Sequence, residues 1–387
     1  MKVAIIGLGF RLGYLGHVFN EMDPDFEIVG YYDPAPAGLP TLKEHGINPG
    51  TAFATPQELI KAGGYDLLMI GSPNHLHLEH IQMGLESGNK VFSEKPIVST
   101  IEQTYALAAL MGKFGPENLM VGLVLRYAPL YQDLITARDA GMLGNIVSVE
   151  AAEHIYPYHG AFFMRDWRRY EKWSGSFMLE KCCHDLDLYN GLIGARPERV
   201  ASFGGRKTFV PENDPRNEGI NDMDIFHRKP TGWNGSDKVF DSDGDIIDYQ
   251  VAIIEYANGV GMNFHTNLNA PDQFRRFAVF GTKGQAEGDF IRANFKVTDV
   301  LSEETKIDKT YVASTLSQHY GADEEMASKV VAHVMHGGPL PVSPLDALEA
   351  GILALATDDA RRSRQVVDLR PIWDRYDEAL VTKEFVA

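Results

Sequence analysis

The chain has 387 residues, more than one hydrophobic core usually supports, so two domains are expected. Its 36 basic residues against 53 acidic ones give a formal charge of −17, a field that repels phosphate backbones, and no basic stripe interrupts it. Nucleic acid is therefore not expected as a partner, and a polyanionic substrate is disfavoured unless a local arginine cluster overrides the field. No run approaches the roughly 18 apolar residues of a membrane span, and no signal-peptide core with a small-residue cleavage site is present. Cys182 and Cys183 are sequence neighbours, poor disulfide partners, which fits a reducing compartment. These features predict a cytoplasmic protein without a membrane partner.

The first element, Val3 to Ile6, is a short apolar strand that runs into Gly7-Leu-Gly9-Phe10-Arg11-Leu12-Gly13. Gly7 suits a tight turn, Gly9 lets the backbone approach a pyrophosphate, and the amides of the following helix start, from Phe10 through Leu12, point at the anion. Leu12 stands where G-x-G-x-x-G expects its third glycine, and Gly13 follows one place later. A second strand, Ile28 to Tyr32, ends at Asp33, where a carboxylate would receive the ribose hydroxyls of a dinucleotide. Asp33 favours NAD over NADP, although Arg11 offers a charge that would offset part of the repulsion of a 2′-phosphate. The alternative is a glycine-rich turn in a nucleotide-free α/β domain.

Apolar runs at Leu67 to Ile70, Lys90 to Phe92 and Leu119 to Leu123 alternate with amphipathic stretches at Pro56 to Ala62, Leu76 to Glu86 and Ile101 to Phe114. Strand and helix in alternation make an α/β doubly wound parallel sheet. Beyond Leu123 the texture changes. A helix, Ala128 to Ala140, precedes longer alternating segments at Ile146 to His154, Arg199 to Phe203, Ile247 to Tyr256, Gly259 to Asn267 and Arg276 to Phe280, which read as an antiparallel sheet. The predicted boundary lies near Val121, giving domains 1–121 and 122–387. Residues 204–245 form a long aperiodic stretch, functional or disordered, and Pro344 to Arg362 is a strongly periodic helix.

Chemistry-bearing residues gather in three segments. Ser72-Pro-Asn74 with His77, and Glu94-Lys95-Pro96, each follow a strand and so occupy the rim where doubly wound sheets bind ligands. Arg126 and Pro129 lie at the domain junction. Asp166-Trp167-Arg168 precedes Glu180, His184 and Asp187, whose i, i+4, i+7 spacing places them on one face of a continuous helix, a carboxylate stacked on an imidazole as orienter and base.

These motifs, with Gly141-Met-Leu-Gly144 and Phe280-Gly-Thr-Lys-Gly284, resemble the glucose-fructose oxidoreductase and inositol dehydrogenase family, Gfo/Idh/MocA, over nearly the whole chain. The resemblance implies an N-terminal Rossmann domain and a C-terminal α/β domain with an open, mostly antiparallel sheet, often assembled through that sheet into homodimers or homotetramers. It implies a catalytic Lys95 and a cofactor set of Gly7, Gly9, Phe10, Arg11, Leu12, Asp33, Ser72, Asn74, His77, Glu94, Lys95, Trp167 and Arg168, with Arg126, Tyr156, Asp187 and His319 toward the substrate. Relatives carry Asp where this chain has Glu180, so its carboxylate reaches one methylene further.

Oxidising a secondary alcohol removes a proton and a hydride, so a base must stand near the oxygen. His184 is the candidate base, since an unperturbed imidazole titrates near neutrality; Glu180 would orient it, and Lys95 would stabilise the developing alkoxide. The bland readings are a satisfied core histidine for His184, a solvated ion pair for Glu94 and Lys95, plain core for Trp167, and buried filler for the cysteines. His75, His77 and His80 are poorly spaced for a metal. His319 and Asp323 resemble a sugar-binding His-Gly-Gly-x-Asp segment and, with Glu180, form the remaining candidate cation set; no metal is assigned. The expected function is NAD-dependent oxidation of a ring hydroxyl of a sugar, cyclitol or glycoside. The alternatives are redox-neutral glycoside cleavage through transient ring oxidation, and a non-catalytic cofactor-binding protein.

Overall fold

The computed structural model describes residues 1–226, 233–312 and 319–385. In the N-terminal part, β1 (Lys2–Ile6), α1 (Phe10–Met22), β2 (Glu27–Tyr32), α2 (Leu39–Glu44), β3 (Thr51–Ala52), α3 (Pro56–Ala62), β4 (Leu67–Ile70), α4 (His77–Glu86), β5 (Lys90–Ser93), α5 (Ile101–Phe114) and β6 (Leu119–Val121) alternate as expected. Their six strands form one parallel sheet in the order β3-β2-β1-β4-β5-β6. The order reverses between β1 and β4, so the carboxyl ends of those strands flank the crevice that ligands of such sheets use. β1 and β4 are buried through nearly every residue, as strands covered by helices on both faces must be. Thr55 and Thr100 cap α3 and α5 by accepting from the amides of Glu58 and Gln103.

The rest of the chain supplies α6 (Pro129–Asp139), β7 (Ile146–His154), α7 (Pro157–Arg165), α8 (Glu171–Ser174), α9 (Phe177–Glu180), α10 (Cys183–Ile193), β8 (Pro197–Gly205), β9 (Tyr249–Tyr256), β10 (Gly261–Asn267), β11 (Phe274–Gly281), β12 (Gly284–Asp289), β13 (Asn294–Asp299) and β14 (Thr305–Thr310). It closes with α11 (Ala322–His336), α12 (Pro344–Ser363), β15 (Val367–Asp368) and α13 (Arg370–Thr382). Nine strands form the second sheet, ordered β14-β13-β12-β11-β7-β10-β9-β8-β15. Neighbours are antiparallel except β7 and β10, which run parallel, so the sheet is mixed and mostly antiparallel.

The chain divides into two compact units, Met1–Tyr127 with Leu316–Gly351 and Trp373–Ala387, and Ala128–Thr315 with Ile352–Ile372. This differs from a single cut after residue 121. α11 packs against α1, and in α5 a side chain at Gly112 would meet the Leu380 carbonyl of α13 at 2.1 Å, so two late segments belong with the first sheet. Pairings of that sequence separation leave no trace in local periodicity.

The second sheet buries one face. In β9, Ala252, Ile254 and Tyr256 point inward while Val251 and Ile253 point outward, Ile253 being 69% exposed; Phe203 on the neighbouring strand is 65% exposed. In β10 the apolar residues Met262 and Phe264 all lie on the buried face, and the outward row is Gly261, Asn263, His265 and Asn267. Apolar side chains thus reach both faces of β9 and only the buried face of β10.

Candidate active site

The glycine turn starts the first unit's site. Gly7 has φ +85°, and a Cβ there would meet the Ser72 amide nitrogen at 2.2 Å, so only glycine lets the β1 turn pass the β4 turn. A Cβ at Gly9 would meet nothing within 4 Å. Gly9 is also the N-cap of α1, and no side chain caps it, so the first amides of a 13-residue helix face open space. A pyrophosphate fits that cradle in charge and in hydrogen-bonding capacity. Gly13 takes over the packing task of the third glycine: a Cβ there would stand 2.7 Å from the Gly38 backbone. Leu12 is buried beneath Gly71, whereas Phe10 is largely exposed. Asp33 accepts the Ala35 amide at 2.6 Å, and burial pushes its carboxyl above the ordinary value against that hydrogen bond.

Two rim turns are braced by one imidazole. His77 Nδ1 lies 2.8 Å from the Pro96 carbonyl oxygen and Nε2 lies 2.8 Å from that of Ser72, so the buried ring ties the Ser72–Asn74 turn to the Glu94–Pro96 turn. With both nitrogens engaged it offers no lone pair to a metal. His80 Nδ1 pairs with the Ser72 hydroxyl at 2.9 Å, and burial pulls its imidazole down to about 4. Asn74 is buried at the start of a short 3₁₀ turn.

Arg11 is turned toward Glu94. Its Nε donates to Glu94 Oε1 at 3.1 Å and its Nη2 to Asp323 Oδ1 at 2.7 Å; Asp323 in turn holds His319 Nδ1 at 3.0 Å. Burial works against the Arg11 charge, and the two carboxylates outweigh it, leaving the guanidinium above its usual value. Burial likewise opposes the Asp323 carboxylate, and Arg11 and His319 hold it well below the usual range. The sequence-based role for Arg11 beside a 2′-phosphate therefore gives way to a different one: it links the glycine turn to the residue before Lys95. Glu94 also receives the Lys95 amide at 3.3 Å. Arg126 Nη1 lies 3.8 Å from Asp346 Oδ2.

In the second unit the expected continuous helix from Glu180 to Asp187 is broken. α9 ends at Glu180, Lys181 and Cys182 form a turn, and α10 begins at Cys183, so the i, i+4 stacking of Glu180 on His184 is not imposed by helix geometry. Glu180 accepts Arg168 Nε at 2.6 Å, and Arg168 Nη1 donates to Asp166 at 2.9 Å. The Arg168 guanidinium lies 4.3 Å from the Trp167 ring centroid. Glu180, His184 and Asp187 are all buried, while Tyr156, the N-cap of α7, is exposed.

The turn is anchored by charges that sequence reasoning overlooked. Lys181 Nζ pairs with Glu153 Oε1 at 3.0 Å, and Arg275 pairs with Asp185 at 2.6 Å and with Glu153 at 3.2 Å. Glu153 and Arg275 are direct cross-strand partners on β7 and β11. Burial pushes the Asp185 carboxyl up, whereas for Glu153 burial is outweighed by Arg275 and Lys181. Glu153, Cys182 and Asp185 are the metal-ligating types that converge among the described residues. Their carboxylates already face two cations, a poor setting for a third.

Residues 1–122 match the model of an oxidoreductase family's NAD-binding Rossmann fold, and residues 139–369 match its C-terminal alpha/beta domain. The chain belongs to the Gfo/Idh/MocA oxidoreductase family. YteT of Bacillus subtilis (strain 168), which carries an oxidoreductase name, is 23% identical over 330 residues, 76% of this chain and 77% of YteT. The scyllo-inositol 2-dehydrogenase (NAD(+)) of the same strain is 28% identical over 211 residues, 53% of this chain and 57% of that enzyme. The 2,7-anhydro-N-acetylneuraminate hydratase of Escherichia coli (strain K12) is 23% identical over 205 residues, 53% of each. The chain thus spans little more than half the length of these last two relatives. Among solved structures, the oxidoreductase domain protein from Kribbella flavida aligns with TM-score 0.76 at 18% identity, covering 95% of this chain and 98% of that one. A likeness at that identity concerns the fold. Membership of the Gfo/Idh/MocA family gives the first unit a nicotinamide cofactor. No helix among the described residues is long and apolar enough to cross a membrane.

Proposed function

We propose that this Gfo/Idh/MocA chain is an NAD-dependent oxidoreductase acting on a ring hydroxyl of a sugar, cyclitol or glycoside, with Lys95, His184 and Glu180 as its catalytic residues. The observation that carries the reading is the Arg11–Glu94 pair: it fastens the Glu94–Lys95 turn to the same helix start that offers its amides to a pyrophosphate. The bound nicotinamide supplies the hydride acceptor. His184 takes the hydroxyl proton, Glu180 together with Arg168 fixes the charge around it, and the Lys95 ammonium donates to the reacting oxygen as its negative charge grows. Asn74, Trp167 and Arg168 are assigned to the cofactor, and Arg126, Tyr156, Asp187 and His319 to the substrate. A panel of sugars and cyclitols with NAD tests the reading by NADH absorbance, and a panel that yields none would overturn net dehydrogenation.

A second reading is favoured by the hydratase relative: transient oxidation and re-reduction on a cofactor that stays bound, with elimination between. Release of an aglycone or an unsaturated product without NADH accumulation would select it.

Cofactor choice rests on Asp33. A 2′-phosphate would meet its carboxylate, and Arg11 is committed to Glu94 and Asp323. NAD is expected to bind at least about 10-fold more tightly than NADP, the scale of one unfavourable charge contact, and Asp33→Ala should narrow that gap. A titration in which wild-type protein prefers NADP would remove the assignment.

The outward Ile253 and Phe203 suit burial against a second copy, as a homodimer or homotetramer built through the sheet. Light scattering at micromolar protein should report at least twice the 43.0 kDa chain mass, and Ile253→Glu with Phe203→Glu should reduce it. A clean wild-type monomer would contradict the assembly.

A further inference from the structure

Backbone strain marks the entry to α9. Gly175 has φ +91°, and the next residue, Ser176, has φ 152° and ψ 172°, a basin essentially reserved for glycine. The other non-glycine residues of positive φ among the described residues lie between 52° and 62°, in the left-handed well that side chains enter more readily. Ser176 is also fully buried. A glycine would hold this backbone without strain, so the serine side chain supplies something that glycine does not.

Its contacts show what that is. The Ser176 hydroxyl oxygen accepts the Leu179 amide at 3.1 Å and so caps α9, and its carbonyl accepts the Glu180 amide at 2.9 Å, which places it one helical turn before that carboxylate. On the other side lies Asp358, a fully buried acid near the end of α12. Burial raises its carboxyl above the ordinary value, and the Ser176 hydroxyl, donating to it, works against that rise together with Arg361. Arg361 Nε holds Asp358 Oδ1 at 3.1 Å, and Arg361 and Arg362 reach Glu171 at 3.4 and 2.6 Å. The segment 171–176 is thus tied at both ends to residues 358–362, and all of these belong to the second unit. α9 has only four residues, too few for a helix to set its own direction, so what fixes its entry also fixes the reach of its last residue, Glu180. That reach ends on Arg168 Nε at 2.6 Å.

We propose that Ser176, held by Asp358, is a positioning residue for the Glu180 carboxylate: the strained backbone is retained because a hydroxyl bound to both α9 and α12 sets where that carboxylate stands beside Arg168. The proposal rests on the catalytic reading above and adds to it a residue that acts only through Glu180. Strain of this kind persists where the surroundings over-determine it, and it gathers at sites whose geometry serves function.

Ser176→Gly is the informative variant, because it keeps the backbone allowed and removes the hydroxyl. Glycine is a nearly equivalent cap and relieves the strain, so Tm should stay within about 3 °C of wild type or rise. Hydrogen exchange of the NAD-loaded protein should nonetheless accelerate about 10-fold or more in the amides of residues 177–182 and nowhere else in the second unit. On the sugar that the panel identifies, kcat should fall about 10-fold or more with KM and NAD affinity within about three-fold, the signature of a misplaced reacting group and not of lost binding. In a Glu180→Ala background the same change should alter kcat by less than about two-fold, because a residue that acts through Glu180 has nothing left to position. Asp358→Asn, which still offers Ser176 an acceptor, should lose less turnover than Asp358→Leu. Unchanged exchange in Ser176→Gly, or a kcat loss that multiplies with that of Glu180→Ala, overturns the proposal. So does a Tm of Ser176→Gly lowered by about 10 °C or more, which would make the serine a plain structural residue. Failure of the dehydrogenase reading looks different, since exchange at residues 177–182 would still accelerate with no NADH formed by either protein.

Discussion

His184→Ala is expected to lower kcat by about 10²-fold or more on whichever sugar the panel identifies, the range of a lost general base, and Lys95→Ala by a similar factor, the range of a lost donor to a developing oxyanion. The two losses have different origins, which the pH profile separates. Without His184 the rate should rise with hydroxide, because no side chain collects the hydroxyl proton; without Lys95 the profile should keep its shape and fall throughout. NAD affinity should stay within a few-fold for His184→Ala, since α10 belongs to the second unit and the pyrophosphate cradle to the first. Glu180→Gln retains an oxygen for Arg168 Nε, the bond seen at 2.6 Å, and should be milder than His184→Ala. Near-normal turnover by His184→Ala would remove histidine from the mechanism, and a proportional loss of NAD binding and kcat in Lys95→Ala would recast that lysine as a binding residue.

What the sequence made legible and what it hid follow one physical division. β1, β2, β4, β5 and the helices between them announce themselves because a parallel sheet buries whole strands, and a continuous apolar run is a local signal. The glycine turn is equally local: Gly7 is needed because a Cβ would strike Ser72, a neighbour that the strand–turn pattern itself implies. β14, by contrast, is Thr305–Thr310, charged and almost wholly exposed, an edge strand paired with β13, so no alternation betrays it. β12 carries two glycines and two acids in six residues and was hidden for the same reason. The partners of Arg11 were beyond reach because Asp323 lies 312 positions away. The break between α9 and α10 was hidden by composition, since Lys181 and Cys182 are unremarkable in a helix; the anchors that bend the chain there, Glu153 and Arg275, sit on strands far away in sequence. One sign was present and unread: an acid near the end of β7 and a base near the start of β11 interrupt otherwise apolar inward rows, and buried charges in such rows are paired.

That network gives the second large effect. Arg275→Met should destabilise the protein by about 3–5 kcal/mol, the cost of removing one partner from a buried ion cluster. Asp185 loses both its bonds from Arg275, at 2.6 and 2.8 Å, and Glu153 retains Lys181 as its cation. The two buried acids are then left with one cation, Lys181 on Glu153, which raises both carboxyls in the folded state above their unfolded values. Groups raised in this way hold more protons folded than unfolded, so the stability they leave is greatest at acidic pH and falls as pH rises through the folded value. Melting curves should therefore show a Tm loss on the order of 10 °C at neutral pH, smaller near pH ~5, where protonation removes the repulsion. Asp185→Asn added to Arg275→Met should restore part of the loss, because it removes the acid that the arginine neutralised. A Tm deficit independent of pH, unrelieved by that second change, would mean that the volume of Arg275 and not its charge holds the turn carrying Glu180 and His184.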